Sequence, residues 1–314
     1  MTKNVKFRMD PRKDENHAPH YAKGMANSAN STVMEVRRMS VTSVLPSEQD
    51  IAFFAENGYW VSPKLIDDDR LEQLRERMER VYNGDYETGR APWKGHWTPA
   101  DGDKLRKTDN SHWSDSVLRG LATDPVIGHI AALLMGADCI RLWHDQLLHK
   151  PGRAGGQPKQ ANVGWHQDYA YWQSAAEPSL LTAWVAFDDV DPANGCMQML
   201  PRSHKWGLRR VNDFFEQDIQ KQGSEMDLPQ GESFSPVPII MKAGQVSFHH
   251  SLTLHGSGPN TTDRPRRSLA IHLMTGTTRY RKGDSRHSHM NVELLQPEDG
   301  DLFAGEFFPE LYRK

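Results

Sequence analysis

From Cys139 onward the chain consists of short runs rich in β-branched and aromatic residues, separated by glycine, proline or asparagine. The runs are CIRLWHDQLLHK, LLTAWVAFDDV, CMQMLP, PVPIIM, GQVSFHHS and RRSLAIHLM. Short runs of this kind, spaced by turn residues, are typical of antiparallel strands in a sandwich or barrel. The dipeptide Asn194–Gly195, which lies between two such runs, predicts a hairpin turn.

Helices are predicted before this strand-rich region. Ser47 is a candidate N-cap for a first helix, and the acidic run 67–69 begins a second, because acids in a first turn complement the helix dipole. A third helix is bounded at both ends, since Asp124 caps it, Pro125 takes its first position and Gly136 ends it. Helices followed by many short strands predict an α+β chain, mainly β, with the helices packed on a sandwich or barrel.

The domain boundaries are predicted from composition. Residues 1–45 are polar and lack periodicity, so they are expected to form an N-terminal tail. Residues 46–314 are expected to form a single domain, because a chain of 314 residues can bury a substantial core. Residues 212–235 interrupt the strands as an insertion, either a lid or a surface excursion.

Charge and cysteine content argue against several classes of protein. A net charge of −3 gives no global field for gripping nucleic acid. Two cysteines, Cys139 and Cys196, provide neither a disulfide framework nor a cysteine metal cage. No apolar run is expected to span a bilayer, and the polar, partly acidic N-terminus matches neither a secretory signal nor a transit peptide. A cytoplasmic protein without nucleic-acid or membrane partners is therefore expected, and a homo-oligomer is left open.

The stretch WHQDYAYW contains a His-x-Asp pair, His166 and Asp168, between aromatic residues. In a strand, residues two apart point to the same face, so both side chains would reach one metal ion while Gln167 points away. A chain with 15 histidines is expected to contain such a pair by chance. Alone, the pair is better explained as a hydrogen-bonded pair on a sheet surface.

A second polar element, LHGSGPNTTDRPRRSLAIHLM, places His255 before a turn and a strand opened by arginines. One face of this strand is mostly apolar and the other is small or polar: Arg267, Leu269, Ile271 and Leu273 against Arg266, Ser268, Ala270 and His272. An arginine on a small polar face suits a pocket for a carboxylate, because a guanidinium grips it through two parallel hydrogen bonds. The alternative is that Arg266 is a surface charge.

Combined, the two elements predict a metal centre. Two histidines and one carboxylate form the facial triad of non-heme Fe(II) oxygenases, which leaves coordination positions open. His166, Asp168 and His255 supply that set. Arg266 is then an anchor for the far carboxylate of 2-oxoglutarate, and the remaining position is left for O2.

The stretch from Ser47 to Leu273 resembles the phytanoyl-CoA dioxygenase family of Fe(II)/2-oxoglutarate oxygenases. The resemblance is carried by FFAENGYWV, HDQLLHKPG, WHQD, AWVAFDDVDPANGCMQMLPRSHKWG and HGSGPNTTDRPRRS. It implies a double-stranded β-helix, a cupin-like jelly roll, with N-terminal helices packed on one sheet. It also implies an enzyme that uses Fe(II), 2-oxoglutarate and O2 on a small molecule.

The resemblance implies a role for individual residues. His166, Asp168 and His255 are implied to bind iron and Arg266 to bind 2-oxoglutarate, so these residues form the expected catalytic set. Further residues expected to contact the co-substrate are Gln146, Trp184, Ser257 and Ser268. The family often has an upstream lysine for the same purpose, and either Lys104 or Lys107 is a candidate.

Other residues near these motifs have weaker assignments. His249 and His250 are rival ligands, but the HGSG context and the spacing to Arg266 favour His255. His144 is expected in the core or at the surface, although its parity with Gln146 leaves a pocket-facing position open, and His287 and His289 are expected to be solvated. The aromatic candidates for pocket walls are Tyr169, Tyr171, Trp172 and Trp206.

The predicted reaction is hydroxylation of an unactivated carbon, with release of succinate and CO2. Desaturation, epoxidation or ring rearrangement would use the same cofactors. A non-catalytic metal-binding jelly-roll protein and a zinc hydrolase are rival interpretations. The intact set with Arg266 argues against both, because a hydrolase needs no anion anchor. The identity of the substrate is not predicted.

Overall fold

The computed structural model describes residues 44–95, 97–102, 104–152, 162–210, 213–283 and 289–314. Residues 44–314 form one compact unit. The predicted tail lies outside the described residues except for its last two positions, and residue 212 of the predicted insertion lies outside them as well.

Among the described residues, four helices precede the long strands: α1 (Glu48–Asn57), α2 (Asp68–Tyr82), α3 (Ser116–Ala122) and α4 (Pro125–Met135). The predicted caps Ser47 and Asp124 are confirmed, and the acidic run 67–69 begins a helix as predicted. Ser47 and Asp50 form a reciprocal capping box, Asp67 accepts the backbone N–H of Arg70, and Asp124 accepts that of Val126. Gly136 ends α4 at φ 61°, a left-handed conformation that glycine adopts readily. Sequence reasoning missed the short α3, which Asp115 caps.

One helical stretch of the described residues, Ser116–Met135, has the length and hydropathy of a membrane span, and half of its most apolar window is buried inside the protein. The segment 123–124 divides it into α3 and α4. Leu118 and Leu121 of α3 and Ile130 of α4 lie in the main core, so tertiary packing accounts for their apolar character. The stretch is therefore weak evidence for a membrane segment.

In the part of the chain that the structure describes, the strands form two antiparallel sheets. The larger sheet has the order β1-β9-β6-β11-β4-β3-β2, with β12 also paired to β4, and the smaller sheet has the order β5-β10-β7-β8. The strands are β1 (Tyr59–Val61), β2 (Lys94–Gly95), β3 (Arg106–Asp109), β4 (Cys139–Lys150), β5 (Val163–His166), β6 (Leu180–Ala186), β7 (Met197–Met199), β8 (Val237–Pro238), β9 (Val246–His250), β10 (His255–Ser257), β11 (Arg266–Thr275) and β12 (Glu310–Arg313). The predicted combination of helices with antiparallel sheets is confirmed.

Strand β11 lies in the middle of the larger sheet, between β4 and β6. Its two faces follow the predicted alternation. Leu269, Ile271 and Leu273 belong to the main core, which the helices cover. Arg266 and His272, on the other face, line a cavity between the two sheets. Strand β11 therefore contributes one face to the main core and the other face to the cavity.

The hairpin predicted at Asn194–Gly195 is wrong. Strand β6 before this turn belongs to the larger sheet and β7 after it to the smaller one, so the turn carries the chain between sheets. Gly195 has φ 75°, and an added Cβ would lie 2.5 Å from the carbonyl oxygen of Gly258. The glycine is thus required by a left-handed backbone and a close approach, which a sequence does not distinguish from a hairpin turn.

Two short helices lie within and after the strand region: α5 (Ile219–Ser224) and α6 (Met290–Leu295). Helix α5 lies in the predicted insertion, whose Phe214 and Phe215 face a cavity near the sheets. His289 is the N-cap of α6 and is buried, so the prediction that it is solvated is wrong. His287 lies outside the described residues.

The packing of α4 on β12 provides a test of the fold. A Cβ added at Gly128 would lie 2.6 Å from the Cβ of Leu311 and 3.0 Å from its carbonyl carbon. Gly128→Ala is therefore expected to lower the free energy of unfolding by about 1–3 kcal/mol through overpacking. Alanine's better helix propensity, worth about 1 kcal/mol, opposes only part of this loss. Chemical denaturation measures the difference.

Gly120→Ala is the matched control. Gly120 lies in α3, and a Cβ added there would have nothing within 4 Å, so this change is expected to stabilise the protein by about 0.5–1 kcal/mol. Stabilisation by both substitutions would contradict the close contact between α4 and β12.

Candidate metal centre

The predicted ligands converge. His166 ends β5 and His255 begins β10, and the two residues are direct partners across the antiparallel pair. With Asp168 they offer ligand atoms that all lie within 4.8 Å of one another, and all three side chains are buried. The strand argument for His166 and Asp168 was wrong in detail, because β5 ends at His166 and Asp168 begins a 3₁₀ turn.

Backbone carbonyls orient both histidine rings. The Nδ1 of His166 lies 2.7 Å from the carbonyl oxygen of Gly164, and the Nδ1 of His255 lies 2.9 Å from that of Thr253. A carbonyl only accepts, so each Nδ1 carries the proton and donates it. Each Nε2 is left with a lone pair, which is the tautomer that a metal ligand requires.

The carboxylate of Asp168 is held so that its two oxygens differ. Its Oδ1 lies 3.5 Å from Nε2 of His166 and 3.7 Å from Nε2 of His255. Its Oδ2 accepts a hydrogen bond of 2.7 Å from the hydroxyl of Thr182. The Thr182 hydroxyl stabilises the charged form of this carboxylate, and Oδ1 is turned towards both imidazoles.

The rival histidines occupy different places. Nε2 of His249 lies 3.4 Å from Oδ2 of Asp168, the oxygen that does not face His166, and both ring nitrogens lack a hydrogen-bond partner among the described residues. His250 points elsewhere, because its Nδ1 accepts the backbone N–H of Leu252 and its ring lies near His204. The geometry thus groups His255, rather than either rival, with His166 and Asp168.

Arg266 lines the cavity that also contains the triad. Arg266 and Lys150 are direct partners across β11 and β4, and both are buried. Burial lowers the pKa of Arg266 to about 10, and burial together with Arg266 lowers the pKa of Lys150 well below its ordinary value. Within the described part of the chain, no acidic side chain forms an ion pair with either. Two adjacent buried basic side chains without a carboxylate favour the binding of an anion.

The remaining predicted co-substrate residues are distributed as follows. Gln146, Trp184 and Ser257 line the cavity that contains the triad and Arg266, which we call the metal cavity. The hydroxyl of Ser257 accepts a hydrogen bond of 2.9 Å from Nζ of Lys150. Ser268 is buried and does not line the metal cavity, and its hydroxyl has no hydrogen-bond partner among the described residues.

The structure separates the two candidate lysines. Lys104 pairs with Asp101 at the surface, and its side chain is 42% exposed. Lys107 pairs with Asp109 and lines a second cavity beside His166. Only Lys107 therefore lies near the candidate centre.

This second cavity, which we call the outer cavity, has a volume of about 260 Å³ and shares His166 and Asp168 with the metal cavity. Its remaining lining is aromatic, cationic, acidic and imidazole-rich: Lys107, Asp109, His144, Gln146, Tyr171, Trp172, Phe214, Phe215, His272, His289 and Met290. Of the predicted wall residues, Tyr171 and Trp172 line the outer cavity, whereas Tyr169 and Trp206 pack in hydrophobic clusters.

Sequence reasoning missed several residues of the site. Lys150 ends the run HDQLLHK, and its parity with Gln146 was the available signal. His144 and His272, which are partners across β4 and β11, both line the outer cavity; the sequence had left this position open for His144 and had placed His272 on the polar face of its strand. His289 lies near the C-terminal end of the chain and lines the outer cavity, and no spacing in the sequence predicts this position.

Known proteins share sequence and fold with this chain. The model of the family described as phytanoyl-CoA dioxygenase matches residues 54–268. The peroxisomal phytanoyl-CoA dioxygenase of Rattus norvegicus is 25% identical over 275 residues, covering 83% of this chain and 78% of that protein. The ectoine dioxygenase of Stutzerimonas stutzeri (strain A1501) is 26% identical over 235 residues, covering 69% and 72%.

A solved structure is also similar. The non-heme α-ketoglutarate-dependent carbocyclase from nogalamycin biosynthesis superposes with a TM-score of 0.62 and 25% identity. The match covers 84% of this chain and 96% of that one. The arrangement of helices and sheets is therefore shared over almost the whole of the known enzyme.

The buried histidines predict an acid-sensitive stability. Burial lowers the pKa of His289 to about 3 from an ordinary 6.5. In the unfolded chain this residue takes up a proton below about pH 6.5, whereas in the folded protein it stays neutral to about pH 3, so stability falls as the pH falls through this window. Between about pH 7 and pH 5 the loss is on the order of 2 kcal/mol.

His289→Asn removes this titration and keeps an N-cap acceptor for α6. We expect the unfolding free energy of this variant, measured by urea denaturation, to fall less steeply between about pH 7 and pH 5. His129→Gln is the control, because burial also lowers the pKa of His129 but this ring is only partly buried, so its removal should change the slope less than that of His289. An unaltered slope in His289→Asn would mean that the folded protein does not keep this ring neutral.

Proposed function

The chain belongs to the phytanoyl-CoA dioxygenase family, and we propose that it hydroxylates an unactivated carbon of a small organic molecule. It is a 2-oxoglutarate-dependent dioxygenase that uses Fe(II) and O2, and it releases succinate and CO2. The observation that carries the proposal is the His166–Asp168–His255 cluster, in one cavity with an Arg266 that has no acidic partner among the described residues.

The donor set fits Fe(II). Two neutral imidazole Nε2 atoms and one carboxylate oxygen match the facial triad of non-heme iron oxygenases. Both rings are already fixed in the ligating tautomer by backbone carbonyls. The hydroxyl of Thr182 occupies Oδ2 of Asp168 and so favours coordination through Oδ1 alone. His166, Asp168 and His255 are therefore the residues that would hold the iron.

The opposite end of the metal cavity fits 2-oxoglutarate. The Nε of Arg266 is buried without a hydrogen-bond partner among the described residues, which is unusual for a guanidinium. A carboxylate would satisfy that donor and balance the charge. Ser257, held by Lys150, adds a hydroxyl at the same place, and Gln146 and Trp184 provide further walls. Ser268, two residues from Arg266 on β11, and Lys107 as the family's upstream lysine are the further candidates for this role.

When bound, Fe(II), 2-oxoglutarate and O2 supply the oxidising chemistry that removes hydrogen from a substrate carbon and returns a hydroxyl. The protein supplies position and electrostatics. The charge of Asp168 offsets part of the metal charge, and Arg266 offsets the far carboxylate of the co-substrate. Tyr171, Trp172 and Phe214 line the outer cavity beside the triad, where they exclude water from the reacting carbon.

We extend the proposal to the fold and the domain. The two antiparallel sheets, with the triad between them, fit a double-stranded β-helix with helices on the larger sheet. Residues 46–314 would form this single domain, with residues 212–235 as an insertion. Phe214 and Phe215 of the insertion face the outer cavity, which favours a lid over a simple surface excursion.

Ring chemistry is the second candidate reaction. The similar solved carbocyclase is described as α-ketoglutarate-dependent, so the same co-substrate accomplishes ring formation there. Desaturation and epoxidation need the same site and differ in where the substrate carbon lies. A non-catalytic metal-binding protein is disfavoured by the complete set of ligands and anchor, and a zinc hydrolase by the anchor itself.

The expected partner is a small-molecule substrate. The ectoine dioxygenase to which the chain is similar is named for a small molecule, and an outer cavity of about 260 Å³ suits a molecule of modest size. A cytoplasmic location, the absence of nucleic-acid and membrane partners, and a homo-oligomeric state remain predictions from the sequence.

Asp168→Ala tests the metal centre. Removal of the only charged ligand is expected to lower Fe(II) binding and to reduce the O2-dependent conversion of 2-oxoglutarate to succinate by about a hundredfold or more. Both quantities are measured, by metal titration and by succinate release. Asp227→Ala, at a carboxylate whose side chain is 97% exposed, is the control and should match the unaltered protein. Normal turnover in Asp168→Ala would remove this residue from the triad.

Arg266→Ala tests the co-substrate anchor. Loss of a buried, charge-assisted contact is expected to raise the half-saturating 2-oxoglutarate concentration by about 30-fold or more. Its neighbour Arg267 is the matched control, because it pairs with Asp188 on the opposite face of β11. Arg267→Ala should leave that concentration unchanged, and equal effects from both variants would place the anchor elsewhere.

A further inference from the structure

Three histidines outside the triad line the outer cavity: His144, His272 and His289. All are buried, and they come from separate parts of the chain. His144 on β4 and His272 on β11 are partners across the sheet, with ring centroids 4.5 Å apart. His289 lies against His144, with centroids 4.9 Å apart. The proposed function assigns no role to these three residues.

Hydrogen bonds determine which nitrogen of His272 carries the proton. The hydroxyl of Thr182 donates to the carboxylate of Asp168, so it has no proton left for another partner. The Nδ1 of His272 lies 2.7 Å from the same hydroxyl oxygen and must therefore donate to it. The Nε2 of His272 is then an acceptor, and it is buried without a hydrogen-bond partner among the described residues.

The same reasoning orients His144. The Nδ1 of His289 accepts the backbone N–H of Asn291 at 3.1 Å, so its proton is on Nε2. This Nε2 lies 2.9 Å from the Nδ1 of His144 and donates to it. The proton of a neutral His144 is therefore on Nε2, which makes that atom a donor.

The cluster is electrically neutral. Burial is the main cause that lowers the pKa of His144 well below its usual range, that of His272 to about 4 and that of His289 to about 3. The charged groups in the outer cavity are the paired Lys107 and Asp109, together with Asp168. The rings thus offer hydrogen bonds without charge, and Tyr171, Trp172, Phe214 and Phe215 provide aromatic walls in the same cavity.

We infer that His272 and His144 recognise a hydroxyl group of the substrate, which donates to Nε2 of His272 and accepts from Nε2–H of His144. The inference rests on the proposed function and adds the substrate class: a compact, largely apolar alcohol. A carboxylate has no proton for His272, and an ammonium has no lone pair for His144. An ether or a ketone can accept the hydrogen bond from His144 but has no proton to donate to His272.

The arrangement also connects the substrate to the metal ligand. His272 donates to Thr182, and Thr182 donates to Asp168. When Nε2 of His272 accepts a hydrogen bond from a hydroxyl, electron density moves towards that nitrogen and the Nδ1–H becomes a stronger donor to Thr182. His272 is thus a specificity residue that also positions Asp168 through Thr182.

The test uses compounds with one carbon skeleton. Cyclohexanol, methoxycyclohexane, cyclohexanone, cyclohexylamine and cyclohexanecarboxylate are titrated into the anaerobic protein with Fe(II) and 2-oxoglutarate, and binding is measured by calorimetry. The alcohol is expected to bind about threefold to tenfold more tightly than the ether, the gain of one net hydrogen bond. Equal or tighter binding of the ether, amine or acid would overturn the inference, as would no detectable binding of the alcohol.

Two variants separate the roles of the rings. His272→Phe removes the acceptor and is expected to abolish the preference for alcohol over ether. His144→Phe removes the donor and should weaken alcohol and ether alike by about threefold to tenfold. His129→Gln, at a position outside the cavity lining, is the control. The affinity for 2-oxoglutarate, measured in every variant, shows whether the metal cavity is intact.

Different experimental results would contradict the inference and the proposed function. If no variant or wild-type sample converts 2-oxoglutarate to succinate, the proposed function is wrong, and the alcohol preference is then measured on the Fe(II) protein alone. If succinate forms but His272→Phe keeps the wild-type preference for alcohol, the proposed function is retained and the inference of hydroxyl recognition is wrong. The wild-type panel decides the substrate class even if a variant does not fold.

Discussion

The pairing of β11 with β4 on one side and β6 on the other is the constraint on which the rest of the structure depends. Alternation along β11 sends Leu269 and Ile271 into the core under the helices and sends Arg266 and His272 into the space between the sheets. Because the apolar face is held by burial, the polar face has little freedom to move. The site is thus rigid for the same reason that the fold is stable.

Electrostatics divide the space between the sheets into regions. At one end a buried carboxylate, Asp168, lies among imidazoles whose lone pairs point towards it. At the other end Arg266 and Lys150 are buried without an acid among the described residues. The burial of Asp168 is stabilised when a cation binds beside it. The burial of Arg266 and Lys150 is stabilised when an anion binds beside them. A metal with a dicarboxylate co-substrate satisfies both demands at once.

Much of the fold and of the candidate site could be predicted from the sequence. The helix caps at Ser47, Asp67 and Asp124 are local chemistry, in which a side chain satisfies a neighbouring backbone N–H. The two faces of β11 follow from strand periodicity. The family resemblance indicated His166, Asp168 and His255, which the fold does bring together. Each of these inferences depends on residues that are close in sequence or on a whole motif.

The failures share a different cause. The turn at Asn194–Gly195 has the residues of a hairpin, but whether the next strand stays in the same sheet depends on partners far along the chain. Lys150 and His289 look like ordinary polar residues in sequence, yet both are buried against residues more than a hundred positions away. Such neighbours are set by long-range packing, which no local window contains.

By itself, the sequence determined the starts of α1, α2 and α4, the end of α4, the inward and outward sides of β11 and the kinds of ligand present, because these depend on backbone chemistry and on the two-residue period of a strand. Only the tertiary structure decided that Asp168 leaves its strand to meet His255, that Lys150 lies beside Arg266, and that His144, His272 and His289 share one cavity. These contacts form because the two sheets pack against each other. Their geometry therefore depends on residues that are far apart in the sequence and not on any one segment.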